Sequence, residues 1–121
     1  MNYLRLAALA AIVAVIMPAA AFAHASLSRA TPASGSTVET APQEVRLYFT
    51  ERFEAALSGA TLVGPDGQTI ATSAAEMDPQ TPTALVLKLP PLGPGHYTVK
   101  WHVVAVDSHR TEGVISFNVR H

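Results

Sequence analysis

The chain contains no cysteine, which excludes both disulfide staples and thiolate metal sites and leaves its fold to rest on packing alone. Methionine is nearly as scarce: beyond residue 17 only Met77 remains, so soft thioether coordination of Cu(I), which wants several such ligands, is not expected. Charge of either sign is also missing in excess. Eight basic residues stand against nine acidic ones, and a chain so balanced has no electrostatic footprint for nucleic acid. No apolar run approaches the roughly 20 residues of a membrane-spanning helix. The longest, residues 6–17, is preceded by Arg5 and followed by Pro18-Ala19-Ala20 and Ala21-Phe22-Ala23. That order of basic, apolar and small-residue regions is a secretory signal with its cleavage site.

The expected division is therefore a signal peptide over residues 1–23 and one mature domain over residues 24–121, located in the periplasm. Removing 23 of 121 residues leaves 98, near the usual size of a single small sandwich. Arg5 is the one charged residue of the leader, so the mature part is slightly acidic. It is not expected to span a membrane.

Sustained three-to-four apolar spacing is absent from the mature region, whereas period-two runs recur, which indicates an all-β fold. The clearest run is 97–104. Tyr97, Val99, Trp101 and Val103 fall on one face, expected to be buried, and Thr98, Lys100, His102 and Val104 on the other. Val45, Leu47 and Phe49 alternate in the same way with Arg46, Tyr48 and Thr50, and 114–119 forms another run with Phe117 inward. Weaker strands are expected over 25–30, 59–63, 68–72 and 84–89. About seven strands at intervals of roughly 8 to 12 residues indicate a sandwich. Pro65-Asp66-Gly67 should close a hairpin between Thr61 and Ile70, because proline presets φ and glycine accepts a positive one. Further turns are expected at 31–35, 78–82 and 90–95, and a helical turn within 51–57.

Cleavage after Ala23 would make His24 the first residue, so its α-amino nitrogen and imidazole Nδ1 could grip one ion together. Asp107-Ser108-His109 follows the 97–104 strand. In an extended segment residues i and i+2 face the same side, so Asp107 and His109 can converge on one ion. Amine, two imidazoles and a carboxylate offer three nitrogens and one oxygen, a set that suits tetragonal Cu(II), with zinc also chemically feasible. Against this stands the plainer view that Asp-x-His is a polar turn and the terminal histidine is chance. His96, His102 and His121 have the contexts of surface residues, Met77 of a loop or partly packed residue, and Trp101 of a core aromatic.

A wider pattern runs through the mature chain in order: His24-Ala-Ser-Leu, Thr31-Pro32-Ala33-x-Gly35, Val45-Arg-Leu-Tyr-Phe-Thr-Glu51, Tyr97-Thr-Val-Lys-Trp101, Val106-Asp107-Ser-His109 and Gly113-x-x-x-Phe117. Together these resemble the CopC family of periplasmic copper-resistance proteins. The resemblance implies a seven-stranded Greek-key β-barrel or immunoglobulin-like sandwich. It also implies that Cu(II) is bound by His24, Asp107 and His109, and that a CopD-like inner-membrane copper transport protein is a partner. Glu51 resembles an acidic residue that could hydrogen-bond a ligand histidine and fix its tautomer, although a solvated strand-end carboxylate accounts for it equally well. Some members carry a methionine-rich loop for Cu(I). The matching stretch here, 71–82, holds only Met77, which implies a Cu(II)-only protein.

Two other functions are compatible with the same residues. A histidine brace on a β-sandwich also serves copper-dependent polysaccharide monooxygenases, although Asp107 would occupy the equatorial position that such an enzyme leaves for oxygen, and a domain this small offers little surface for a polymer. A metal-free assembly module is the third.

Overall fold

The computed structural model describes residues 25–121. The leader, its cleavage site and His24 lie outside the described residues. Among the described residues nine strands, β1 (Leu27–Thr31), β2 (Ser36–Val38), β3 (Glu44–Phe49), β4 (Gly59–Val63), β5 (Thr69–Ile70), β6 (Glu76–Asp78), β7 (Thr81–Lys88), β8 (Gly95–Val104) and β9 (Arg110–Val119), are joined by loops and one 3-10 turn at Ala55–Leu57. They form two sheets, of order β1-β3-β7-β6 and β2-β9-β8-β4-β5. The expected all-β sandwich is observed.

Period-two alternation built the core as the sequence indicates. β3 buries Val45, Leu47 and Phe49, β8 buries Tyr97, Val99, Trp101 and Val103, and β9 buries Ile115, Phe117 and Val119, with Leu62, Leu85 and Leu87 filling the space between. Each such side chain contributes about 1.5–3 kcal/mol when fully removed from water. Aromatic rings meet edge to face along the interior, Trp101 on Phe49 at 5.0 Å and Phe49 on Phe53 at 5.7 Å between centroids. The Pro65-Asp66-Gly67 turn closes β4 onto β5, with Leu62 opposite Ile70 and Gly67 at φ 81°.

Two three-residue strands join the seven expected ones. β2 runs parallel to β9 at one sheet edge, and β6 pairs with β7 at an edge of the other. Neither is long enough to show a period of two, and an edge strand needs one neighbour only. β6 also converts part of the expected 71–82 loop into strand, and Pro82, expected in a turn, lies within β7. Arg46 straps β6 across the outer face of its sheet, bonding Tyr48, Glu44 and Asp78. The ion pair with Arg46 holds the Asp78 carboxyl below its ordinary range, and the same three partners push the Arg46 guanidinium further up. β9 begins four residues earlier than the expected run at 114 and pairs with β8 over ten positions, from Gly95 opposite Val119 to Val104 opposite Arg110. This long hairpin positions the candidate ligands.

Candidate metal centre

The loop between β8 and β9 is closed by three hydrogen bonds. Ser108 N–H donates to the Ala105 carbonyl at 2.9 Å, Ala105 N–H donates to the His109 carbonyl at 2.8 Å, and His109 N–H donates to Asp107 Oδ1 at 3.1 Å. Ala105 is buried and bridges to Phe53, so the base of the loop is fixed in the core while residues 106–109 stand at the surface. Asp107 Oδ2 lies 3.1 Å from His109 Nδ1. The two side chains are therefore side by side, as expected, but for a different reason. The backbone between them is not extended: Ser108 sits at φ 74°, and this left-handed residue turns His109 back toward Asp107.

A carboxylate against Nδ1 favours the neutral tautomer in which that nitrogen carries the proton and Nε2 carries the lone pair. Chemically the loop offers one oxygen donor group and one imidazole nitrogen, borderline ligands suited to divalent first-row ions. Among the described residues no group of three or more histidine and acidic side chains is close enough to hold a metal.

The first described residues end beside this loop. Ala25 is buried at 1 % exposure and belongs to the core, and its carbonyl accepts a hydrogen bond from Thr111 Oγ1 at 2.8 Å. Thr111 lies on β9, two positions after His109, opposite Val103. Ser26 is held on the other side: its N–H donates to Thr50 Oγ1 at 3.0 Å and its carbonyl accepts from Thr50 N–H at 2.9 Å. Nothing local in the sequence marked Thr50 or Thr111, because each acts on a residue far away in the chain.

The CopC domain matches residues 27–120, nearly all of the described chain. The chain belongs to the CopC family. Protein YobA of Escherichia coli K12 is 40% identical over 114 residues, covering 93% of this chain and 92% of that one. Copper resistance protein C of Xanthomonas campestris pv. juglandis is 34% identical over 117 residues, covering 90% of each. Among solved structures, CopC from Methylosinus trichosporium OB3b superposes with a TM-score of 0.75 at 31% identity, covering 80% of this chain and 94% of that one.

Within this CopC fold the remaining candidates are dispersed. Glu51 is exposed on the segment leaving β3 and takes part in none of the ion pairs among the described residues. Met77 lies on β6, half-buried against the core. His96 is exposed, with Nδ1 2.9 Å from Asn118 Oδ1. His102 is half-buried and directly opposite Glu112, its ring over Gly59, where a Cβ would meet Cε1 at 3.1 Å. His121 is exposed beyond the end of β9. Trp101 is a core residue, packed on Phe49 and across the backbone of Gly113.

Proposed function

We propose that this CopC-family chain is a periplasmic Cu(II) carrier, exported by the signal over residues 1–23 and working as a single domain over residues 24–121. It binds one Cu(II) through the α-amine and imidazole of His24, the imidazole of His109 and the carboxylate of Asp107. The observation that carries this reading is the Asp107 carboxylate lying against the His109 imidazole on a loop rooted in the core, in a chain that belongs to a copper-resistance family. Three nitrogens and one oxygen suit the tetragonal preference of Cu(II) and its high place in the affinity order. Copper here is cargo, and no reaction is assigned to the domain. A CopD-like inner-membrane protein is the proposed recipient. The half-buried packing of the single Met77 supports the Cu(II)-only reading.

The test begins with the intact mass of the exported protein, followed by Cu(II) titration monitored by EPR. The expected results are a terminus at His24, one equivalent of tightly bound copper and an axial spectrum with nitrogen hyperfine structure. Tight binding that survives either one extra residue before His24 or His109→Ala would overturn the reading.

A further inference from the structure

A chain terminus is ordinarily frayed, and ordering it on metal uptake would oppose binding. Here the residue that follows the proposed amine chelate is not frayed. Ala25 is plugged into the core at 1 % exposure, Thr111 donates to its carbonyl at 2.8 Å, and Ser26 is doubly bonded to Thr50. We propose that Thr111 is a positioning residue for copper capture, whose hydroxyl fixes Ala25 and so presents the mature N-terminus to the Asp107–His109 loop.

The inference rests on the reading of His24 as mature terminus and ligand, and it adds the device that places that ligand. Residue 24 is tied to Ala25 by one peptide unit, about 3.8 Å between Cα atoms. Thr111 and His109 are two residues apart on the chain segment that opens β9, at most about 7 Å. One strand end thus carries both a ligand and the clamp for the segment bearing the other ligand. The hydroxyl is well suited to this work because it is short, half-buried and on the inward side of β9, in line with Gly113 and Ile115. Thr50, the residue just after β3, grips the same segment, so Ala25 and Ser26 are held between the two sheets.

Thr111→Val keeps the shape and removes the donor, whereas Thr111→Ser keeps the donor. Cu(II) affinity of the exported, processed protein would be measured by competition with a chromophoric chelator, alongside thermal unfolding of the metal-free form. The expected result is an affinity loss of about tenfold or more for Thr111→Val, the scale seen when groups that orient metal ligands are removed, with Thr111→Ser close to the parent. In a background where His24 is replaced by alanine and preceded by one extra residue, so that the site loses both the imidazole and the α-amine, Thr111→Val should change the residual affinity no further. Parent-like affinity in Thr111→Val, while His24→Ala is weakened, overturns the clamp and leaves the copper reading standing. Equal losses with and without the intact terminal chelate also overturn it, since Thr111 would then act only on the fold. Parent-like affinity in His24→Ala overturns the copper reading itself. Should Thr111→Val fail to fold, Thr50→Val tests the same clamp from the end of β3 with the same expectations.

Discussion

Asp107 grips His109 twice, through Oδ1 on the backbone N–H and Oδ2 on the ring Nδ1, each at 3.1 Å. One carboxylate thus sets both the course of the backbone and the orientation of the imidazole. The contact requires the chain to reverse at Ser108, whose φ of 74° is a region that residues with a Cβ enter at a cost of about 1–2 kcal/mol. Strain of that kind is tolerated where the surrounding structure holds it in place, and here the buried Ala105 and its hydrogen bond to His109 do so.

Relief of that strain is measurable. Ser108→Gly should leave urea stability unchanged or raise it by up to about 1 kcal/mol, and Ser108→Val should lower it by more than about 1 kcal/mol, because a β-branched residue is poorest in left-handed backbone. A valine variant as stable as the parent would contradict the strained turn.

Gly113 lies opposite Trp101 in the β8–β9 ladder, and a Cβ there would stand 2.7 Å from Trp101 Cζ2 and 3.1 Å from Cε2. The indole is pinned behind by Phe49, so it cannot yield. Gly113→Ala is expected to cost about 1–3 kcal/mol, the usual penalty of overpacking, with a shift in tryptophan emission. Urea unfolding followed by that single tryptophan measures both.

The Arg46–Asp78 pair makes a pH prediction of definite sign. Arg46 lowers the folded-state carboxyl of Asp78 beneath an unfolded value of about 3.9. Its stabilisation is therefore full above that unfolded value and is lost as pH falls through the lower folded one. Thermal unfolding of the parent and Asp78→Asn should differ at pH 6 and converge toward pH 2.5. Added salt should narrow the difference, since the pair is partly exposed. A gap that widens in acid would refute the assignment.

Copper affinity should fall continuously from pH 8 to pH 5. Amine and imidazole nitrogens must shed protons before they coordinate, and the proposed ligand set contains three of them. Competition titrations across that range should show the decline. An affinity flat over those three units would exclude nitrogen ligation of this kind.

The inward faces of β3, β8 and β9 could be read directly, because a strand with one buried face must alternate: Val45, Leu47, Tyr97, Val99, Trp101 and Phe117 are all buried. β2 and β6 could not, since three residues at an edge carry no periodic signal. The Asp-x-His spacing pointed to two groups on one side, which is how they lie, but a left-handed turn rather than an extended strand brings them there. Thr111 had no signal at all. Its partner is 86 residues away, and such a pairing is chosen by how sheets stack, not by the character of its neighbours.

By itself, then, the sequence determined the seven strands outside β2 and β6, the buried faces of the longest of them, the absence of thiol chemistry and the residue types able to ligate a metal, because all of these follow from local pattern and composition. Only the tertiary structure decided that the segment starting at Ala25 packs into the core beside the β8–β9 loop, held between Thr50 and Thr111. Closure of one sheet on the other brings chain segments from opposite ends together, and no local propensity specifies where they meet.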